Sequence, residues 1–238
     1  MQNMNVTIGI MQPYLFPYLG YLQLINAVDK FVIHDDVKYI KGGWINRNHI
    51  LLNKKDYLFS FSLKKDSDYL NINQRFFVDY IETERKKFLI TLSNAYKKAP
   101  YFTDIIRLIL EIFSYKELNI SLMITNSLKI LCTYLDIKSE FFVSSEIGKN
   151  NSLKGPERVM SIVKILDGNH YINPIGGVDL YSKEKFLEEG IKLSFIKTRY
   201  IRYKQFDTEF IPNLSIIDVL MFNSKEEVKK LLDEYDLI

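Results

Sequence analysis

Residues 7–50 contain the stretch that indicates the fold: TIGIMQPYLFPYLGYLQLINAVDKFVIHDDVKYIKGGWINRNHI. The apolar run Thr7–Met11 predicts a strand, and the spacing of Leu and Ile predicts a helix over residues 18–28. A second apolar run, residues 31–34, predicts another strand that ends at Asp35-Asp36. Strand, loop, helix and strand form the beginning of a parallel α/β sheet, and such sheets bind their ligands just after the strands.

The rest of the chain alternates strands and helices in the same way. Strands are predicted at residues 56–63, 140–144, 171–173 and 192–196, and helices at 153–166, 181–189, 215–222 and 225–235. Between residues 80 and 137 the helical periodicity is nearly continuous and divides into three helices. We therefore predict an α/β fold, a doubly wound and mostly parallel sheet with an inserted three-helix region, in a single domain spanning residues 1–238.

The composition excludes several classes of function. The net charge is +3 and no run of Lys and Arg forms a phosphate-binding stripe, so nucleic acid is not an expected partner. No apolar stretch is long enough for a membrane span and the polar N-terminus does not resemble a signal peptide, so we expect a cytoplasmic protein. The single cysteine, Cys132, excludes an internal disulfide and is expected to be a buried packing thiol. His34, His49 and His170 lack the spacing of metal ligands, so no metal site is predicted.

The start of the first predicted helix, Tyr18-Leu19-Gly20-Tyr21, resembles a nucleotide-activating element. Nucleotidylyltransferases and class I aminoacyl-tRNA synthetases carry H-x-G-H at this position, where the imidazoles and the helix N-terminus stabilise phosphate charge. This chain keeps the glycine but has tyrosines in place of both histidines. The resemblance implies a nucleotidylyltransferase-like, Rossmann-type fold that does not activate ATP. An aromatic helix start, with a glycine for close packing, explains the same residues.

A dense polar cluster, Trp44-Ile45-Asn46-Arg47-Asn48, follows the second strand. Its indole, two amides and guanidinium suit a sugar ring and a phosphate, with Arg47 as a clamp on the diphosphate. Asp35, Asp36 and His49 are the candidate general bases. Adjacent carboxylates on an extended backbone point to opposite sides, so at most one aspartate faces the cleft. An Asp–Arg ion pair and a packed tryptophan are the structural alternatives.

Longer motifs make the chain similar to the WbqC-like family. They are Met11-Gln12-Pro13-Tyr14, Pro17-Tyr18-Leu19-Gly20-Tyr21, Asp35-Asp36-Val37, the Trp44 cluster, Gly176-Gly177 before Leu180-Tyr181, and FIPNLSIIDVL at residues 210–220. The resemblance covers nearly the whole chain and implies work on an unusual sugar in the synthesis of bacterial O-antigen or related polysaccharides. The site residues that it implies are Gln12, Tyr14, Asp35, Asp36, Trp44, Asn46, Arg47 and Asn48. We add Tyr18, Gly20, Gly177 and Tyr181 as substrate-binding candidates, whereas any role of His34 or His49 is particular to this chain.

The function that we expect is acyl or aminoacyl transfer to the amino group of a nucleotide-linked amino sugar, which forms an amide. Because no cysteine nucleophile is credible, the amine is expected to attack a CoA or carrier-protein thioester directly, with no tightly bound cofactor. The expected partners are the sugar nucleotide and an acyl carrier protein.

Two other functions remain open from the sequence. A glycosyltransferase would bind its leaving diphosphate with a basic cluster, Lys197, Arg199, Arg202 and Lys204. A non-catalytic subunit would bind the sugar or the carrier, and its helix-rich middle would dock a partner enzyme or form a homodimer.

Overall fold

A computed structural model describes residues 5–206 and 209–238. The strands are β1 (Thr7–Met11), β2 (Lys30–Ile33), β3 (Arg47–Leu52), β4 (Lys55–Ser60), β5 (Glu140–Val143), β6 (His170–Pro174), β7 (Lys192–Thr198) and β8 (Tyr235–Leu237). The helices are α1 (Leu19–Asn26), α2 (Ile81–Tyr96), α3 (Phe102–Ser114), α4 (Ile120–Tyr134), α5 (Gly155–Ile165), α6 (Lys183–Glu188), α7 (Ile216–Phe222) and α8 (Lys225–Leu231). Most of the polar start, for which no signal peptide is expected, lies outside the described residues.

The main sheet contains six strands in the order β5-β2-β1-β6-β7-β8. Neighbouring strands from β5 to β7 run parallel, and β8 pairs antiparallel with β7. The chain proceeds from β1 to β2 and β5 on one side and from β6 to β7 on the other, so the strand order reverses between β1 and β6. This arrangement confirms the predicted α/β fold with a mostly parallel sheet, and it is compatible with a Rossmann-like fold.

Helices cover both faces of the main sheet. On β1 and β2, the side chains of Ile8, Ile10 and Val32 belong to an apolar core that they share with α5 and α6. Phe31 and Ile33 belong to the larger core on the other face, which includes α1, α4 and α7. This alternation along buried strands is the pattern expected of a sheet that is covered on both sides.

The segment predicted as a third strand, residues 56–63, does not join the main sheet. It forms β4, which pairs antiparallel with β3 in a separate two-stranded hairpin. The turn residues Asn53 and Lys54 have φ values of 50° and 64°, the pattern of a type I′ hairpin turn. β3 is not predicted from the sequence, because this strand begins inside the polar cluster of residues 44–48.

The C-terminus also differs from the prediction. The helix expected over residues 225–235 ends at Leu231, and Tyr235–Leu237 forms β8. This strand pairs with Ile196, Lys197 and Thr198 of β7, so its backbone groups complete the edge of the sheet. The prediction of a helix failed there because this short strand is specified by pairing with a distant segment.

Helices α2, α3 and α4 lie between β4 and β5, in the stretch that the periodicity assigns to three helices. Cys132, on α4, is buried in the larger core, and burial raises the pKa of its thiol to about 12. This confirms the predicted packing thiol. Among residues 5–206 and 209–238, no helix combines the length and the apolar character needed to cross a bilayer.

Candidate functional site

A cleft of about 760 Å³, here called the large cleft, opens at the carboxyl ends of β1, β6 and β7, beside the point where the strand order reverses. Parallel α/β sheets bind their ligands at this position. Seven of the residues predicted from the sequence line it: Gln12, Tyr14, Tyr18, Gly20, Trp44, Gly177 and Tyr181. Asn173 and Thr198 also line the cleft but are not predicted from the sequence, because isolated amide and hydroxyl groups form no recognisable motif.

The loop between β1 and α1 forms one wall of the large cleft and is fixed by hydrogen bonds at Phe16. This residue is fully buried and has a φ of 47°, a conformation that is unusual for an aromatic side chain. Its carbonyl accepts hydrogen bonds from Asn48 Nδ2 at 2.8 Å and from Ser215 Oγ at 2.7 Å. Two distant segments therefore hold the loop that carries Tyr14 and Tyr18.

A smaller cavity of about 240 Å³, here called the small pocket, adjoins the large cleft. Its lining residues are Tyr14, Tyr18, Trp44, Asn48, His49 and Asn213, of which the first three also line the large cleft. His49 Nδ1 lies 3.2 Å from Asp56 Oδ2, and the imidazole meets the Trp44 indole edge-on with ring centres 5.6 Å apart. A carboxylate partner at Nδ1 and an accepting Nε2 are the arrangement that a histidine general base uses.

Asp56, the partner of His49, is not among the site residues predicted from the sequence. It lies on β4, and only the pairing of β3 with β4 brings it to His49. Recognition of the hairpin turn at Asn53-Lys54 is the signal that could have placed Asp56 beside this histidine.

Asn46 and Arg47 bind protein groups and line neither the large cleft nor the small pocket. Arg47 donates from Nε to the Gly43 carbonyl at 2.9 Å and from Nη2 to the Gly42 carbonyl, and its guanidinium lies 5.3 Å from the Trp44 ring centre. Asn46 donates from Nδ2 to the Phe61 carbonyl at 2.7 Å. These contacts support the loop of Trp44.

The paired aspartates follow β2, which ends at Ile33, and both carboxylates contact the segment of residues 144–149. Asp35 is buried, and its oxygens accept hydrogen bonds from the backbone N–H of Ser145 at 2.9 Å and its hydroxyl at 2.7 Å. Asp36 lies 2.6 Å from Lys149 Nζ and 3.5 Å from Arg158 Nη2. Neither aspartate lines the large cleft or the small pocket.

His34 lines the large cleft, and Asp36 lies next to this histidine. His34 Nε2 and Asp36 Oδ1 are 3.8 Å apart, and neither atom has a hydrogen-bond partner among the described residues. Burial, together with the charges of Arg158 and Lys149, outweighs the attraction of Asp36 and lowers the pKa of His34 from 6.5 to about 4. Burial alone would raise the pKa of Asp36, but the contacts with Lys149 and Arg158 hold it below its usual value. The histidine therefore faces the cleft uncharged at neutral pH.

The four residues of the predicted basic cluster do not all lie at the large cleft. Lys197 lines the large cleft, whereas Arg202 and Lys204 do not. Arg199 is paired with Asp236 at 2.7 Å and with Glu234 at 3.4 Å. Within residues 5–206 and 209–238, no group of three or more His, Cys, Asp and Glu side chains is placed to hold a metal ion.

Comparison with known proteins identifies the same family as the sequence motifs. The model of the WbqC-like protein family matches residues 12–230. A relative from Mycobacterium tuberculosis (strain ATCC 25618 / H37Rv), "Uncharacterized protein Rv1507c", is 25% identical over 227 residues, which cover 94% of this chain and 96% of the relative. No solved structure matches the chain significantly. Since the family match covers nearly the whole chain, the protein belongs to the WbqC-like protein family.

Proposed function

We propose that the protein transfers an acyl or aminoacyl group to the amine of a nucleotide-linked amino sugar, forming an amide, in the synthesis of O-antigen or another bacterial surface polysaccharide. The observation that carries this proposal is that His49, which lines the small pocket beside the large cleft, is in contact with the carboxylate of Asp56. A base that removes a proton from an attacking amine is the group that direct acyl transfer requires. The resemblance to polysaccharide-cluster proteins supports a sugar as the acceptor.

The large cleft suits the sugar nucleotide. Its volume of about 760 Å³ lies within the usual range for binding sites of small molecules and cofactors. Trp44 and the two tyrosines Tyr14 and Tyr18 offer ring faces for the base and the sugar. Lys197, together with the N-terminus of α1 near Gly20, supplies positive potential for the diphosphate. The acceptor would thus bind beside the small pocket with its amine toward His49.

The proposed reaction is a direct transfer and needs no covalent enzyme intermediate. The nitrogen of the amine attacks the carbonyl carbon of the thioester, a C–N bond forms, and the C–S bond breaks. His49 Nε2 accepts the proton that the amine loses and returns it to the departing thiolate. Asp56 holds the imidazole in the required tautomer and stabilises the positive charge that it carries during the transfer.

We also propose a nucleotidylyltransferase-like relationship for the fold. The reversal of the strand order between β1 and β6 and the position of Gly20 at the start of α1 support it. Tyrosines at positions 18 and 21 argue against activation of ATP, so the donor would arrive as a CoA or carrier-protein thioester. Nucleotide sugars are used in the cytoplasm, where the proposal places this protein.

Glycosyl transfer receives less support. A metal-independent glycosyltransferase must stabilise the departing diphosphate with several cations. Of the predicted basic cluster, Lys197 alone lines the large cleft, and Arg199 at the neighbouring wall is already paired with Asp236. The geometry therefore favours chemistry at the amine over chemistry at the anomeric carbon.

The test uses the purified protein with dTDP- and UDP-linked amino sugars and a panel of acyl-CoA donors, and mass spectrometry detects the amide. We expect His49→Gln to lower kcat by about 10²–10⁴-fold, as for removal of a general base. Asp56→Asn should lower kcat by about 10-fold or more through the wrong tautomer. Asp68→Asn, at an exposed aspartate of another loop, is the matched control and should leave the rate unchanged.

Three outcomes would contradict the proposal. Amide formation at an undiminished rate in His49→Gln would remove the assigned base. Release of free nucleoside diphosphate from the sugar nucleotide would indicate glycosyl transfer. Binding of the sugar nucleotide without any product, across the whole donor panel, would indicate a non-catalytic subunit.

A further inference from the structure

A third cavity, here called the side cavity, lies beside the start of α1 and has a volume of about 480 Å³. We propose that it binds the acyl donor, an acyl thioester with its neutral pantetheine-type arm, and that Asn213 donates a hydrogen bond to the thioester carbonyl. This inference rests on the proposed function, because it names the second substrate of the same reaction and its place.

The three cavities share lining residues, and the small pocket has residues in common with each of the other two. Tyr18 lines all three. Trp44 lines the large cleft and the small pocket, whereas Asn213 lines the side cavity and the small pocket. An acceptor in the large cleft and a donor in the side cavity can therefore both reach the pocket that contains His49.

The lining of the side cavity suits an uncharged, largely apolar ligand. Its walls are mostly apolar and aromatic: Leu19, Tyr200, Ile201, Tyr203, Phe210, Pro212, Leu214 and Val219. The one guanidinium in the lining belongs to Arg199, which is already held by Asp236 and Glu234. A second nucleotide diphosphate would find little free positive charge here, but an acyl group and its arm would find apolar contacts.

Asn213 lies where the side cavity and the small pocket meet, in a conformation that its neighbours fix. Its φ is 59°, a left-handed value that asparagine tolerates better than most residues. Two residues later, Ser215 donates from its backbone N–H to the His49 carbonyl at 2.8 Å and from Oγ to the Phe16 carbonyl. The segment of Asn213 is thus tied directly to the strand of His49.

The amide of Asn213 is available for a ligand. Among residues 5–206 and 209–238 its side chain makes no hydrogen bond, and the residue is exposed. Negative charge develops on the carbonyl oxygen of a thioester when the amine attacks, and an amide N–H that donates to this oxygen stabilises the charge. Asn213 therefore has the chemistry and the place of an oxyanion donor, while His49 accepts the proton of the amine.

The test separates the two ligands by measuring their binding without turnover. Calorimetry is carried out with a non-transferable ketone analogue of an acyl-pantetheine thioester and, separately, with the sugar nucleotide. Ile201→Trp fills the side cavity and should weaken the analogue about tenfold or more, while the affinity for the sugar nucleotide changes less than about twofold. Ile90→Trp, at an exposed position on α2, is the matched control and should change neither affinity.

Asn213→Gly removes the amide but keeps the backbone conformation available. It should lower kcat by about 10²–10³-fold with little change in the affinity for either ligand. This exposed position keeps the proposal testable if Ile201→Trp does not fold. An unchanged kcat would remove the oxyanion role.

Failure of this inference differs from failure of the proposed function. If the amide forms but the analogue binds equally well to Ile201→Trp, or competes with the sugar nucleotide for the large cleft, the side cavity is not the donor site and acyl transfer stands. If no amide forms with any donor, the proposed function fails, and the assignment of the side cavity fails with it.

Discussion

The amide nitrogen of Asn48 donates a hydrogen bond of 2.8 Å to the carbonyl of Phe16, a residue 32 positions away in the chain. The oxygen of the same amide accepts the backbone N–H of His49 at 2.8 Å. One buried side chain therefore connects the loop that forms the wall of the large cleft with the strand that carries His49. The family motif implies that Asn48 is a site residue, and these contacts give it a positioning role.

Asn48→Ala should destabilise the protein by about 1–3 kcal/mol, because the change leaves the partly buried backbone N–H of His49 without its partner and removes one of the two donors to the buried Phe16 carbonyl. The free energy of unfolding in urea measures the loss. Asn94→Ala, at an exposed position of α2, is the control and should stay within about 0.5 kcal/mol of the wild type. Equal stability of the two variants would contradict the role assigned to Asn48.

The two adjacent glycines after β6 should respond differently to the same substitution. A Cβ on Gly177 would lie 2.1 Å from Asn173 Nδ2, whereas a Cβ on Gly176 would meet no atom within 4 Å. Gly177→Ala must displace Asn173, a lining residue of the large cleft, and should cost about 1–3 kcal/mol. Gly176→Ala should be neutral within about 0.5 kcal/mol.

Thermal unfolding and titration with a sugar nucleotide check this pair. We expect lower stability and weaker binding for Gly177→Ala alone. A result in which both variants behave alike would mean that the close approach of Gly177 to Asn173 has no consequence for the cleft.

The strands and helices that local periodicity specifies could be predicted from the sequence. The apolar runs of β1 and β2 are continuous because both strands are buried on both faces, and α1 between them has regular apolar spacing. The hairpin and β8 could not be predicted in the same way. Asn53-Lys54 is a weaker turn signal than Asn-Gly, and β8 depends on pairing with β7.

The candidate site was predictable in its motifs but not in its contacts. The residues near Tyr14, Trp44 and Gly177 do meet at one cleft, because the carboxyl ends of parallel strands lie at one edge. The partners of individual side chains are set by tertiary structure. Asp35 meets Ser145, Asp36 meets Lys149, and no spacing in the sequence specifies either contact.

Burial of His34 at the large cleft lowers the pKa of its imidazole in the folded protein from 6.5 to about 4. Between these two values the unfolded chain binds a proton at this position and the folded protein does not. The free energy of unfolding should therefore rise with pH across this window and fall as the pH drops from 6.5 towards 4. At about 1.4 kcal/mol per pKa unit, the full change is on the order of 3 kcal/mol.

Urea unfolding of the wild type and of His34→Gln, from about pH 4.5 to about pH 7.5, measures this contribution. His170 and Asp218, whose pKa values burial also shifts, are present in both proteins and cancel in the difference. As the pH falls, the wild type should lose free energy of unfolding relative to His34→Gln, because glutamine cannot be protonated in this range. If the free energy of unfolding varies with pH in the same way in both proteins, His34 binds a proton as readily in the fold as in the unfolded chain. That result would contradict an uncharged His34 at the cleft.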